Sequence, residues 1–143
     1  MLSTLRQRIN ARDESGFTLI ELLVVLIIIG VLLAIAVPSY LGFRDKAQKT
    51  AAAADVREAE PSAEAYFSDQ SPNTYTGMTP AILRSTYDSG LSTAITVAKP
   101  ETVGGVAGAG YCIEAVVASH KAVVNGPGGN VLVDTDPGFA DCA

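Results

Sequence analysis

The residue whose chemistry stands out in this chain is Glu21, a carboxylate set inside an apolar run. Residues 16–37 read GFTLIELLVVLIIIGVLLAIAV, and Glu21 is the one charged residue among them. As a helix, residues 17–37 would span about 31 Å, enough for the hydrocarbon core of a bilayer. A carboxylate in that environment costs free energy unless a cation pairs with it. No Lys or Arg lies between Arg12 and Arg44, so the partner must come from elsewhere.

A free α-amino group is one such cation. If the chain were cut between Gly16 and Phe17, an amine would appear four residues before Glu21, on the same helix or on a neighbouring copy. Pairing between copies would set the axial register of one helix against the next, because the attraction falls with distance. The alternative is a plain membrane anchor, in which Glu21 lies one turn inside the apolar run and reaches the cytoplasmic interface.

The segment GFTLIE at residues 16–21, followed by the long apolar run, resembles the cleavage and assembly signal of type IV pilins and pseudopilins. The resemblance implies that a prepilin peptidase cuts after Gly16 and N-methylates Phe17. It also implies that Glu21 neutralises the amine of an adjacent subunit during assembly. An ordinary secretory signal has its cleavage site after the apolar region, whereas this junction precedes it.

Charge placement predicts the topology and the domain organisation. Arginines precede the apolar run, so the positive-inside rule places residues 1–16 in the cytoplasm as a cleaved leader. Residues 17–38 then form the transmembrane and assembly helix, and residues 39–143 form an extracytoplasmic globular domain. The formal net charge of −5 argues against a broad nucleic-acid-binding surface, and no sequence feature indicates nucleic acid as a partner.

Both cysteines, Cys112 and Cys142, fall in the exported part, where an oxidising compartment favours a disulfide. In the chain-entropy model, a bond of that separation contributes about 3.7 kcal/mol, a sizeable share of a small domain's stability. The alternative is two reduced thiols.

Two residues interrupt the apolar helix, Gly30 and Pro38. Pro38 removes one backbone donor and clashes with the preceding turn, so we expect a kink there. The resemblance to pilins implies that the stretch between them can lose helicity in a filament, but helix packing explains Gly30 equally well. Pro61 is predicted to break or kink the helix, and residues 62–69 would add two turns, which gives about 45–50 residues in all.

Past Pro38 an apolar stripe recurs at three- and four-residue spacing and suits packing against a sheet or a neighbouring helix; its members are Tyr40, Phe43, Ala47, Ala51 and Ala54. Thr79 and Pro80 then predict the capped start of a short helix. Strands are predicted at residues 94–97, 111–117, 121–124 and 130–133, with a flexible glycine-rich loop at 103–110.

The predicted fold class is therefore α+β and pilin-like. A long N-terminal helix, half membrane and half amphipathic, packs on a small antiparallel sheet of three or four strands. Cys142 ties the C-terminal loop to the strand that bears Cys112, as the resemblance to pilins also implies.

The sequence gives little support for a catalytic site or a metal site, and no cofactor is predicted. His120 is the only histidine, and we interpret it as a solvated turn residue. Asp134 and Asp136, with Asp141 nearby, are a weak calcium candidate, because oxygen-rich loops bind Ca²⁺ and the resemblance extends to pseudopilins that hold calcium. The alternative is a solvated acidic loop.

The sequence thus predicts a structural subunit of a type IV pilus, a homopolymer for adhesion, motility or DNA uptake, and not an enzyme. Its partners would be the prepilin peptidase, the pilus assembly platform, minor pilins and the inner membrane. The precursor would cross the cytoplasmic membrane once, with its N-terminus inside, before the subunit enters an extracellular pilus. The first alternative is a pseudopilin of a type II-like secretion system, and a less favoured one is an anchored extracytoplasmic enzyme or binding protein.

Overall fold

A computed structural model describes residues 16–142. Apart from Gly16, the predicted leader lies outside the described residues. The chain divides into two compact units at the junction of Leu41 and Gly42.

One long helix, α1, runs over Leu19–Asp69 and contains 51 residues. It confirms the predicted long N-terminal helix, and neither Pro38 nor Pro61 ends it. Of the predicted break or kink at Pro61, the break is wrong and the kink stays a prediction. Pro61 and Arg57 both lie on the exposed side of the helix, so the Arg57 carbonyl that loses its hydrogen bond to residue 61 faces solvent. A bend at Gly30 or Pro38 stays a prediction.

In the first unit, the side chains of α1 are exposed from its start to Leu41. They are almost all large and apolar, with Leu19 88% and Ile35 68% exposed. Within the described part of the chain, α1 is the helix that is long and apolar enough to cross a membrane. Such a surface is stable only against lipid or against other apolar helices.

In the second unit, α1 contributes one face to the core. The buried positions include a set that recurs every three or four residues, as an amphipathic helix requires: Ala52, Val56, Ala59, Ala63 and Tyr66. They join one apolar cluster with side chains of the strands and the intervening loops, including Tyr75, Leu83, Ile95, Ile113 and Val124. Small alanines let the helix lie close to the sheet.

The apolar stripe that begins at Tyr40 does not supply this face. Tyr40, Phe43, Ala47, Ala51 and Ala54 are all exposed, so the sheet does not cover them, and packing against a neighbouring helix stays a prediction. The face that begins at Ala52 continues through Val56 to Tyr66 and therefore buries more area than a stripe that ends at Ala54.

The sheet has four antiparallel strands in the order β1-β2-β3-β4. Their bounds are Ile95–Val103, Val106–Val117, His120–Gly126 and Leu132–Val133. This confirms the α+β class. The last strand is shorter than predicted, and the short helix α2, Pro80–Ile82, continues into a π-helical turn, Leu83–Tyr87. Thr79 caps α2 as predicted, with its hydroxyl accepting from the Ile82 N–H at 3.3 Å.

The predicted loop at residues 103–110 is wrong, because this segment forms a tight hairpin. Gly104 and Gly105 have φ of 59° and 82°, as a two-residue primed turn requires, and Val103 pairs with Val106 across it. Gly108 has φ of 71° at the place where the register of β1 and β2 shifts. The glycines therefore supply a turn and a bulge within a sheet rather than a flexible loop.

Candidate functional site

The Gly16–Phe17 junction is accessible. Both residues are exposed and precede the first helical residue, Leu19. A Cβ added to Gly16 would meet no atom within 4 Å, so nothing in the described chain shields this bond. An exposed backbone outside the helix is a form in which a peptidase can bind a peptide bond.

Glu21 is part of a reciprocal cap at the start of α1. Its Oε2 accepts hydrogen bonds from the Thr18 N–H at 2.8 Å and from the Thr18 hydroxyl at 2.6 Å. In return, Thr18 Oγ1 accepts from the Glu21 N–H at 3.3 Å. This is the capping box, in which Thr is the N-cap and Glu the third helical residue.

The role of Thr18 was missed in the sequence, although the signal was present. Thr18 and Glu21 have the T-x-x-E spacing that precedes an apolar run in a capping box. The cap fixes the orientation of the Glu21 carboxylate. Both hydrogen bonds from Thr18 go to Oε2, and among residues 16–142 nothing donates to Oε1. Glu21 can therefore keep its cap and still accept a bond from a second donor.

The predicted positions Gly30 and Pro38 lie on the exposed helix of the first unit. No side chain comes within 4 Å of a Cβ added at Gly30, so the described chain does not use this glycine for close packing.

Cys112 and Cys142 form a disulfide, with their Cα atoms 5.7 Å apart. This confirms the predicted bond between strand β2 and the C-terminal segment. The buried Glu114 accepts a hydrogen bond from the Cys142 N–H at 3.4 Å. Lys121 lies between two carboxylates, 2.9 Å from Asp141 and 3.6 Å from Glu114. The hydrogen bond to Asp141 raises the pKa of Lys121 above its ordinary value.

Asp134 and Asp136, the weak calcium candidates, each have a hydrogen-bonding partner within the protein. Asp136 accepts from the Val133 N–H at 2.9 Å, and Asp134 Oδ2 lies 2.9 Å from Nδ1 of His120. Within residues 16–142, no group of three or more His, Cys, Asp or Glu side chains is arranged to hold a metal ion.

His120 is not the solvated turn residue that the sequence predicts. Its side chain is only 13% exposed and lies between Asp45 and Asp134. The prediction was wrong because Asp45 is distant in sequence, and no local pattern around His120 reveals it.

The chain was compared with known proteins. Residues 11–37 match the model of the prokaryotic N-terminal methylation motif. The type II secretion system core protein G of Dickeya chrysanthemi is 39% identical over 69 residues, which are 47% of this chain and 45% of that protein. Its counterpart in Vibrio cholerae is 35% identical over 77 residues, 52% of this chain and 53% of that protein.

A pilus protein is among the similar proteins as well. The type IV major pilin protein PilA of Myxococcus xanthus is 36% identical over 63 residues, 44% of this chain and 28% of that protein. The chain spans about half the length, or less, of the curated relatives that it matches. No solved structure matches the chain. The chain therefore carries the prepilin-type N-terminal methylation motif and is similar, over about half its length, to the pseudopilins of type II secretion and to a type IV pilin.

Proposed function

We propose that this chain is a structural subunit of a type IV pilus, a surface filament assembled through its N-terminal helix after the leader is removed. The single observation that carries the proposal is the arrangement at residues 16–21. An exposed Gly16–Phe17 junction is followed at once by Glu21, whose carboxylate is held at the start of an exposed apolar helix. The match to the methylation motif covers the same residues.

The assembly step follows from the charges. Cleavage after Gly16 gives Phe17 a positive amine, which N-methylation keeps positive. Subunits would wait in the inner membrane as single-pass proteins, N-terminus inside, with the prepilin peptidase and the assembly platform as partners. In a bundle of apolar helices, the amine of one subunit and Glu21 of its neighbour neutralise each other, and only one axial offset brings them together. Minor pilins and the extracellular location of the finished filament belong to the same proposal.

The second candidate is a pseudopilin, the subunit of a short filament in a type II-like secretion system. It is favoured by the relatives that carry the name type II secretion system core protein G. The cleavage and assembly chemistry is the same in both candidates, so residues 16–21 do not separate them. An anchored enzyme or binding protein fits less well, because the named relatives are core proteins of a secretion system and a major pilin.

The test is electron microscopy of fibres sheared from the cell surface, with mass spectrometry of their subunits. A pilus subunit gives long fibres composed of this chain, and a deletion strain lacks them. A pseudopilin gives no surface fibres at native expression, and its deletion leaves exported proteins in the periplasm. A strain without the chain that keeps both its fibres and its secretion contradicts both candidates.

A further inference from the structure

In the second unit, α1 has an exposed face on the side away from the buried residues Ala52, Val56 and Ala59. We call it the outward face. Its members lie one or two helical turns apart and are Phe43, Ala47, Thr50, Ala54, Pro61 and Ala65. All but one have small side chains, and the exception, Phe43, is 74% exposed. The ring of Phe43 therefore projects from an otherwise flat helix surface.

Two cations flank Phe43 at the start of the outward face. Arg44 follows it by one residue and Lys46 by three, and both are exposed. Since each residue of an α-helix adds about 100° of rotation, the two side chains lie on opposite sides of the ring. Lys49, one turn further along, is already engaged, because its ammonium lies 2.7 Å from Asp45.

Two carboxylates flank Ala65 at the far end of the same face. Glu64 precedes it by one residue and Asp69 follows it by four, so they too lie on opposite sides of the face, and both are exposed. The Tyr75 hydroxyl donates to Glu64 at 3.0 Å, which orients this carboxylate. Among residues 16–142, none of the four flanking charges forms an ion pair.

The two ends are complementary when two parallel copies face each other. Copies inserted in a membrane with the same orientation are parallel, and facing helices set the left side of one against the right side of the other. Arg44 of one copy then meets Glu64 of the other, and Lys46 meets Asp69. The first pair requires an axial shift of about 20 residues and the second of about 23, which is about 30–35 Å in both cases.

The remaining side chains of the face favour the same shift. It sets the ring of Phe43 against Ala65, whose small side chain leaves room for it. A shift shorter by about two turns would instead bring Arg44 against Arg57 of the other copy, because Arg57 lies on the same side of the helix as Glu64. Like charges that face each other oppose docking, so the charges select one register.

We propose that the outward face docks a second copy of this chain in parallel. The start of one face, with Phe43, Arg44 and Lys46, lies on the end of the other, with Glu64 and Asp69. The inference rests on the proposed function, in its pilus or its pseudopilin form, because only assembled copies meet in this way. It adds a register contact that is independent of the Phe17 amine and Glu21.

The first experiment is intermolecular cross-linking with Lys46→Cys/Asp69→Cys in the full chain. Within one chain the two positions are about 34 Å apart, too far for a disulfide between them. The native cysteines are already joined to each other. Mild oxidation of cells should give a ladder of multimers on non-reducing gels, and the ladder should vanish in a strain without the assembly platform.

Arg57→Cys/Asp69→Cys is the matched control, because it places a thiol on the same side of the helix at the wrong shift. We expect it to remain monomeric. A control that cross-links as readily as the test pair contradicts the register, as does a test pair that stays monomeric while its filaments form.

The second experiment exchanges the charges. Lys46→Asp and Asp69→Lys should each reduce assembly about tenfold at equal amounts of processed protein, since each sets two like charges face to face. The double variant Lys46→Asp/Asp69→Lys should recover most of the wild-type level. A folding defect would persist in the double variant, so recovery identifies a pair. Arg57→Asp, the same change in the middle of the face, should assemble nearly as the wild type does.

The readout is fibre yield for a pilus and secreted protein for a pseudopilin. If Lys46 instead contacts phosphates of the membrane surface, Lys46→Asp is impaired, Asp69→Lys is not, and the double variant does not recover, which overturns the inference. Wild-type assembly without recovery in the double variant overturns the inference alone. A wild type that neither forms fibres nor supports secretion overturns the proposed function and the inference with it.

Discussion

At the scale of single residues, the carboxylates of this chain are mostly paired with donors that lie close by. Glu21 accepts from Thr18, Asp45 from Lys49, and the buried Glu114 lies next to Lys121. These contacts give each charge a fixed position. Glu21 differs from Asp45 and Glu114 because its donor is neutral, so a cation can still gain by approaching it.

We expect Glu21→Ala to separate processing from assembly. The variant should be cleaved and should accumulate in the membrane, because an apolar helix without a charge inserts more easily. Few fibres should form, since the Phe17 amine would be buried in the subunit bundle without a counter-charge. Glu21→Gln should behave nearly as badly.

The measurement is fibre yield after shearing, compared with the amount of processed protein in membranes. Glu58→Ala, which removes an exposed glutamate from the second half of α1, is the control and should assemble normally. Normal fibre yield from Glu21→Ala would mean that the pairing does not set the register.

Because Tyr75 and Tyr111 are buried, we expect the folded protein to lose stability at alkaline pH. Burial raises the pKa of Tyr75 and of Tyr111, and Glu64, 3.0 Å from the Tyr75 hydroxyl, raises that of Tyr75 further. A raised pKa means that the unfolded chain releases its protons first, near pH 10. Stability is therefore complete below that value and falls above it, by up to about 1.4 kcal/mol per pH unit for each tyrosine.

Chemical denaturation between pH 9 and 11.5 checks this. Above pH 10, Tyr111→Phe should reduce the slope of the unfolding free energy against pH. Tyr40→Phe, which changes an exposed ring, should leave that slope unchanged. Equal slopes in all three proteins would contradict the assignment.

Gly16, Phe17 and Glu21 lie within six consecutive residues, so the sequence alone singles them out through the resemblance to pilins, and their roles in cleavage, methylation and assembly stay predictions. The contacts of His120 are not predicted from sequence, because its partner Asp134 is 14 residues away and its other partner, Asp45, is on α1. Their approach depends on how the sheet and the helix pack, which no local pattern encodes.

At the scale of elements, local sequence predicts the central residues of the strands but not every turn that connects them. The hairpin turn at Gly104 and Gly105 was missed. A run of glycines is compatible with both a flexible loop and a primed turn, and only pairing of the flanking valines decides between them. The buried face of α1 was misplaced for a related reason, since two apolar stripes compete along an alanine-rich helix.

The turn between β2 and β3 contains Ala118 with φ of 55°, the one described non-glycine residue with positive φ. A left-handed conformation costs a residue with a Cβ about 1–2 kcal/mol relative to glycine. Ala118→Gly should therefore stabilise the protein by up to about 1 kcal/mol, after the greater entropy of the unfolded glycine is subtracted.

The opposite substitution, Gly105→Ala, tests the same backbone preference at a glycine. Gly105 has φ of 82°, and an added Cβ would touch nothing within 4 Å, so only the backbone conformation is tested. It should destabilise the protein by about 1 kcal/mol. Urea midpoints that move in the same direction for both variants would contradict this explanation.

At the scale of the whole molecule, the chain combines a helix that needs an apolar environment with a second unit whose C-terminal segment is joined to strand β2 by a disulfide. The disulfide joins residues 30 positions apart, and the chain-entropy model gives it about 3.7 kcal/mol. We expect the double variant Cys112→Ser/Cys142→Ser to lose stability on that order. Reducing agent should destabilise the wild type similarly and leave the double variant unchanged; thiol labelling of the non-reduced protein should be negligible.

Processing is tested on the intact protein. The mature chain should have the mass of a polypeptide that begins with N-methyl-Phe17. Gly16→Leu should remain uncut in the membrane, whereas the small change Gly16→Ala should retain some cleavage. A mature mass that begins at any other residue contradicts the assigned junction.

The exposed apolar side chains of the first unit also determine where the protein can be stored. In water, a free monomer would aggregate through the segment from Phe17 to Leu41, so subunits outside an assembly must remain dissolved in the bilayer. In the proposed assembly, the membrane would act as a two-dimensional reservoir of subunits, which growth of a filament would deplete and shrinkage would refill without new synthesis. The rate of growth should therefore follow the number of subunits per unit of membrane area rather than their concentration in any aqueous compartment.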